Sequence, residues 1–242
     1  AANVRYRFDK PALHEAFGFA EGEFFLSAVV VGGWQREEAA YLDMQLPPTG
    51  AVYERTAMIE QAYADSLSLN GCKKMRRFAG FSFDKKRFDE AIYTRRSMRA
   101  FSRRPISKAM LDIVLENLHK PILSDCDEAV TIWYVVNRVE GMESGVYRDG
   151  KLCKAGDFSQ KAGYLCLEQT LGSDSAVTFF LTSGGENYQP LYQKAGHIGH
   201  RLYLVSTYLG LGCSGIGAYY DDETAAFLET DEMVLYALAI GQ

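Results

Sequence analysis

What most constrains the fold of this chain is that its apolar residues arrive in strand-length runs set between stretches of helical period. Residues 23–32 (EFFLSAVVVG), 130–139 (VTIWYVVNRV), 176–182 and 232–241 (EMVLYALAIG) are rich in β-branched and aromatic side chains, which pack well on a pleated surface. Between them, Met58, Ile59, Tyr63 and Leu67 form one stripe of a helix over residues 53–69. Met110, Ile113, Val114 and Leu118 do the same over residues 107–119, where Ser107 supplies the cap. Further helices are expected over residues 160–171, over a long stretch at 188–209, and over 223–228. Arg148-Asp149-Gly150 reads as a hairpin turn. The run at 46–50 (LPPTG) breaks any regular element, and residues 70–90, basic and aromatic, read as an exposed connector. Helices between strands, one of them long and central, predict an α+β chain with a mixed sheet flanked by helices.

Bulk properties remove several classes of function. With 242 residues, of which 48% are hydrophobic, the chain can bury a sizeable core in one large domain, or in one domain and a piece of another. A net charge of -5 argues against nucleic acid as a partner, because a general binder needs a basic surface to displace phosphate counterions. No apolar run reaches the roughly 18–20 residues of a membrane span. The five cysteines are scattered without a C-x-x-C pair, the pattern of reduced thiols in a cytoplasmic protein rather than of disulfides or a zinc site. His197 and His200 share a helical i,i+3 spacing but lack an E-x-x-H partner, so no metal is expected.

One internal repeat bears on domain organisation. Residues 23–32 and 232–241 share Glu, Leu, Ala and Gly at four of ten positions, and a helical stretch precedes each copy, at 11–17 and at 223–228. Two buried strands can look alike from composition alone. The sharper reading makes residues 1–33 the tail of a preceding, related copy, residues 34–89 a helical connector, and residues 90–242 the principal domain.

Two segments carry chemistry. In the run 93–101 (YTRRSMRAF), three guanidiniums and a hydroxyl fall within five residues, at Arg95, Arg96, Ser97 and Arg99. Arginine forks match phosphate oxygens in a bidentate way and stay charged at any working pH, so this is a candidate anion site. The run 209–220 (LGLGCSGIGAYY) follows the long helix and packs four glycines into eight residues, which lets backbone approach a planar ligand. It is not a dinucleotide fingerprint, since no strand–G-x-G-x-x-G–helix order surrounds it.

In order along the chain, these segments resemble the FMN-dependent nitroreductase superfamily, and more closely its branch of SagB-like azoline dehydrogenases. That family opens its flavin domain with R-R-S-x-R-x-F and a P-[IL]-S helix start, matched by Arg95-Arg96-Ser97-Met98-Arg99-Ala100-Phe101 and Pro105-Ile106-Ser107. Tyr134-Val135-Val136, Val139-Glu140-Gly141 and Gly145-Val146-Tyr147 are similar to its strand and hairpin. Ala195-Gly196-His197, Leu209-Gly210-Leu211-Gly212 and the terminal E-x-x-L-Y-A pattern are similar to its closing half. The branch's P-S-x-G stretch is missing, since Ile122-Leu123-Ser124-Asp125-Cys126 stands in that region, and its Lys-Tyr pair is not evident.

The resemblance implies a nitroreductase-like fold with swapped terminal segments, a homodimer or a pseudo-dimer of tandem copies, and FMN as cofactor. It implies that Arg95, Arg96, Ser97 and Arg99 hold the FMN phosphate, ribityl chain or ring edge. Backbone at Gly215, Ile216, Gly217 and Ala218 would lie near the isoalloxazine, where an amide can tune hydride transfer. Tyr188, Tyr192 and Lys194 are the candidates for proton transfer. The expected function is that of an FMN oxidoreductase, acting as an oxidase or dehydrogenase on a peptide-derived or small-molecule substrate, or as a reductase with NAD(P)H as electron donor. The alternative is a non-catalytic scaffold that completes a partner's flavin site or binds a peptide.

Overall fold

The computed structural model describes residues 2–5, 8–20, 23–24, 28–31, 56–67, 80–125 and 128–242. The expected break at 46–50, much of the connector, parts of the strand at 23–32 and of the helix at 53–69, and Cys72 and Cys126 lie outside the described residues. The chain divides into two compact units, one of Ala1–Phe78, Leu123–Glu128 and Asn187–Pro190, the other of Ala79–Ile122, Ala129–Glu186 and Leu191–Gln242.

In the smaller unit, β1 (Ala2–Arg5) pairs antiparallel with β2 (Ala28–Val31). Helix α1 (Lys10–Phe17) starts where the Asp9 carboxylate accepts the Ala12 N–H at 2.9 Å, and it ends on the left-handed Gly18. In α2 (Ala57–Asp65), Met58 and Ile59 of the expected stripe are exposed, as is Leu67 just beyond it. Periodicity identified the helix but not the side it buries. Lys10 is buried, and its Nζ donates to Ser66 O (3.0 Å), Ser66 Oγ (2.7 Å) and Gln189 Oε1 (2.6 Å). Burial lowers its pKa, and three acceptors with the nearby rings of Phe8 and Tyr63 make the site tolerable.

The larger unit runs α3 (Lys85–Thr94), β3 (Ile106–Ser107), α4 (Lys108–Leu118), β4 (Thr131–Val136), β5 (Val139–Glu140), β6 (Gly145–Arg148), β7 (Lys151–Ala155), α5 (Ser159–Leu165), α6 (Thr170–Asp174), β8 (Val177–Ser183), α7 (Tyr188–Tyr208, from Leu191 onward), β9 (Gly212–Ile216), α8 (Asp221–Leu228) and β10 (Met233–Gly241). Six strands form one sheet in the order β7-β6-β4-β8-β10-β9, antiparallel at each step. Parallel pairing enters through β3 with β5 and through a bridge from Ser97 to Cys213 on β9. This is the α+β architecture with a helix-flanked sheet that the strand–helix order predicts.

Both faces of the sheet are covered, which explains why its central strands read as unbroken apolar runs. On β4, Ile132, Tyr134 and Val136 join one core with Leu111, Val114 and Leu118 of α4 and Leu191, Ala195, Ile198, Leu202 and Val205 of α7. Trp133 and Val135 join a second core with Ala162, Leu165 and Leu228. Strand β10 bulges between Val234 and Tyr236, so that Leu235 and Tyr236 both belong with the α7 core while Val234 and Ala237 face the other way.

Several local expectations hold. The Ser107 hydroxyl caps α4 by accepting the Met110 N–H at 3.3 Å. Asp149 and Gly150 both take positive φ (46° and 87°), as a two-residue hairpin turn of the right twist demands. Others are corrected. The connector at 70–90 contains the start of α3, capped by Asp84, whose carboxylate accepts the Arg87 N–H at 2.8 Å. Ile113 points outward on α4, because the buried stripe is Leu111, Val114 and Leu118. The run 130–139 breaks after Val136, where Asn137 and Arg138 turn to donate to carbonyls of Gly172, Ser173 and Ser175. The single helix expected over 160–171 is two, α5 and α6, separated by Leu167 and Glu168 in left-handed conformation. Nothing local requires that break; it brings Gly172 of α6 flat against Ala162 of α5.

Candidate functional site

The arginine segment and the glycine-rich segment, about 115 residues apart in the chain, meet at the sheet edge. The stretch after α3 runs parallel to β9 for one bridge, Ser97 beside Cys213, and Met98 N–H donates to Cys213 O at 2.9 Å. Met98 packs so closely over Gly212 that a Cβ there would lie 2.3 Å from its side chain. The segment then leaves the edge: Phe101 buries in the second core, and Ser102 N–H donates to Gln242 O at 2.6 Å.

Where the segment departs, the next outward amide of β9 is satisfied by a side chain of α7. Gly215 N–H donates to Tyr203 Oη at 2.6 Å, and the same hydroxyl lies 2.9 Å from Ser97 Oγ. The Arg95 guanidinium sits over the Tyr203 ring at 5.1 Å. Arg96 is exposed and donates only to carbonyls of Tyr93 and Arg95 (3.1 and 2.7 Å). Arg99 is also exposed. Among the described residues no carboxylate pairs with Arg95, Arg96 or Arg99, whereas Arg103, a few residues on, is neutralised by Asp174 at 2.7 Å. These three guanidiniums thus have no counter-charge among the described residues, in a chain of net charge -5.

Further along the same chain segment lies a cavity of about 560 Å³. Tyr192 and Gly196 of α7, the Gly217–Ala218–Tyr219 backbone, Asp221, and the bulge residues Leu235 and Tyr236 line it. The size suits an organic ligand or cofactor ring. Gly196 and Gly217 both face open space, with no atom within 4 Å of where a Cβ would be. The phenol of Tyr236 lies against Gly215, 2.0 Å from its missing Cβ, so a side chain there would displace it. Burial first, then Tyr203 and Cys213, raise the Tyr236 pKa and keep the phenol protonated at neutral pH.

Of the sequence-proposed binding residues, Ser97 and Arg95 are tied to Gly215 through Tyr203, and Gly217 and Ala218 line the cavity. The Ile216 side chain is buried in the second core. The Gly215 amide is already engaged by Tyr203, which leaves Gly217 and Ala218 at the cavity wall. Of the proposed proton donors, Tyr192 lines the cavity, Lys194 is not among the lining residues, and Tyr188 belongs to the smaller unit. Sequence reasoning missed Tyr203, Asp221 and Tyr236 as site residues. A signal for the first existed: Tyr192, Gly196, Gly199 and Tyr203 recur at i, i+4, i+7 and i+11, a single face of α7.

The thiols and imidazoles nearby are poor catalysts. Burial pushes Cys166 up to about 12, and Cys213 is pushed up by burial against the pull of Arg95. Among the described residues, no group of three metal-ligating side chains exists, and no helix is long and apolar enough to cross a membrane. His197 is half-buried, and burial first, then His200 and Arg201, hold its pKa below the ordinary 6.5. The unfolded chain therefore binds this proton more readily, so stability is full above pH 6.5 and declines as pH falls toward the folded pKa. His197→Gln is expected to flatten the acid limb of a Tm series taken from about pH 7.5 to about pH 5.

A helix-flanked, edge-bridged sheet of this topology defines a nitroreductase-like fold. Two proteins each named "putative nitroreductase" are similar to the chain. One, from Methanocaldococcus jannaschii, is 22% identical over 180 residues, covering 64% of this chain and 91% of the relative. The other, from Anabaena variabilis, is a solved structure that covers all of this chain at a TM-score of 0.74 and 20% identity. The chain spans 60% of that protein's length. A solved oxidoreductase containing FMN superposes on 69% of the chain at a TM-score of 0.46, below the level that establishes a shared fold. No protein-family model matches the chain. The chain thus has a nitroreductase-like fold and a distant nitroreductase relative.

Proposed function

We propose that this protein is an FMN-dependent oxidoreductase. The observation that carries the reading is the juxtaposition at β9: Ser97 and Arg95, in a segment whose three arginines have no counter-charge among the described residues, reach Gly215 through Tyr203, and Tyr236, packed against the same glycine, lines a cavity with two glycines in its wall. FMN has the matching halves, a dianionic phosphate and a flat apolar ring, and supplies two-electron transfer when bound. Arg95, Arg96, Ser97 and Arg99 would hold its phosphate end. Gly196, Gly217 and Ala218 would leave room for its ring, and the phenols of Tyr192 and Tyr236 would face the reacting side with protons to give.

The finer readings belong to this proposal as well. The motif order from Arg95 to Gly241 supports a SagB-like branch acting on a peptide-derived or small-molecule substrate, with NAD(P)H as the donor for a reductase of the same design. The repeat of residues 23–32 in 232–241 supports residues 1–33 as the tail of a related copy, 34–89 as a connector and 90–242 as the flavin domain. Such a chain would work as a homodimer or as one half of a pseudo-dimer.

The test is a visible absorption spectrum of the purified protein, with released cofactor identified by mass. A yellow protein carrying near-stoichiometric FMN is expected. A colourless protein that also refuses added FMN would overturn the reading in favour of a scaffold that completes a partner's site.

A further inference from the structure

The geometry points to Tyr203 as a positioning residue that aims both a neutral and a cationic donor at the bound anion. This rests on the anion-binding role given above to Arg95, Ser97 and Arg99 and extends it to a residue that touches no ligand.

The argument is one of hydrogen-bond direction. A phenol has one hydrogen to donate and accepts through its oxygen. Gly215 N–H already donates to Tyr203 Oη at 2.6 Å, and the other hydrogen-bond partner of that hydroxyl among the described residues is Ser97 Oγ at 2.9 Å, where either oxygen could be the donor. Donation from the phenol to Ser97 is the arrangement that gives the phenol hydrogen an acceptor among the described residues, with the Ser97 oxygen as that acceptor. Ser97 keeps its own hydrogen unspent, and it has no other hydrogen-bond partner among the described residues. The chain Gly215 N–H, Tyr203 O–H, Ser97 O–H has a fixed polarity, and each link strengthens the next. It delivers a donor in the same segment as Arg95, whose guanidinium lies over the same tyrosine ring.

The ring of the same tyrosine sets the second donor. Arg95 lies over it at 5.1 Å without a carboxylate to pull it elsewhere. That cation–π contact uses no hydrogen-bond acceptor, and the Arg95 N–H groups have no side-chain partner among the described residues. The anchor is firm because Tyr203 sits on α7 between core residues Leu202 and Val205 and itself packs against that core, and because Gly215 belongs to the β9–β10 ladder.

The experiment compares FMN with riboflavin, which lacks the phosphate, by flavin fluorescence quenching on the wild-type protein, Tyr203→Phe, Ser97→Ala and the double variant. Tyr203→Phe is expected to weaken FMN about tenfold, the loss of one hydrogen bond to a charged group, and to leave riboflavin affinity unchanged. Ser97→Ala is expected to do the same, and the double variant to lose little more than either, because both remove one relay. A merely structural tyrosine would lower FMN and riboflavin together, and that result, or additive losses in the double variant, overturns the proposal. If Tyr203→Phe fails to fold, Ser97→Ala with its FMN-to-riboflavin ratio decides alone. If the wild-type protein binds neither flavin, the oxidoreductase reading falls by itself. Inorganic phosphate then serves as probe: weaker binding to Tyr203→Phe retains the relay, and equal or absent binding ends it.

Discussion

Gly196→Phe is expected to give a folded protein that no longer takes up flavin. The two halves of that outcome come from the same geometry. Nothing lies within 4 Å of a Cβ at Gly196, so the new side chain meets no protein atom at its base and enters the 560 Å³ cavity instead. Gly196 is also interior to α7, where glycine is the poorest helix former short of proline, so propensity alone favours the substitution by roughly half a kcal/mol. The Tm should hold or rise slightly, while FMN affinity falls by more than about tenfold through loss of the space between Gly196 and Gly217. Thermal melting and a flavin titration on the same sample read both. Wild-type FMN affinity in a well-folded Gly196→Phe would remove the cavity from the cofactor site and leave the arginine segment to explain binding alone.

Gly172→Val is expected to destabilise the protein strongly. A Cβ at this position would stand 2.6 Å from the Ala162 carbonyl oxygen, 2.9 Å from its carbon and 3.0 Å from the Gly163 Cα. All three are backbone atoms of α5, which cannot step aside as a flexible side chain can. The Gly172 carbonyl also accepts from Asn137 Nδ2 (3.1 Å), Ser175 Oγ (3.1 Å) and Thr178 Oγ1 (2.9 Å), so moving α6 away breaks a buried network at the end of β4 and the start of β8. Overpacking of this kind costs about 1–3 kcal/mol for a methyl, and valine should exceed that range. At roughly 2–4 °C of Tm per kcal/mol for a chain of this size, the melting point should drop by about 10 °C or more. Urea denaturation gives the same answer independently. A Tm within a degree of wild type would mean that α5 and α6 do not approach each other at Gly172.

Gly215 is used twice. Its amide donates to Tyr203 Oη, and its missing side chain makes room for the Tyr236 phenol. The bulge in β10 completes the arrangement, since a regular strand would send Leu235 to the opposite face of the sheet from Tyr236.

Much of this was legible in consecutive residues. The strands β4, β8 and β10, the helices α4, α7 and α8, the Ser107 cap and the Asp149-Gly150 turn were written locally, because propensity, capping and turn conformation depend on a few neighbours in the chain. The two segments that carry chemistry were also visible, since clustered arginines and clustered glycines are compositional signals. What only the tertiary structure decided was how distant pieces met. It placed Ser97 beside Cys213, satisfied the Gly215 amide with Tyr203, turned Tyr236 into the cavity through a bulge, and split the helix at Leu167 and Glu168 so that Gly172 could reach Ala162. Each of these depends on the shape of a surface assembled from residues far apart in sequence. Close packing sets that shape, and no local pattern encodes it.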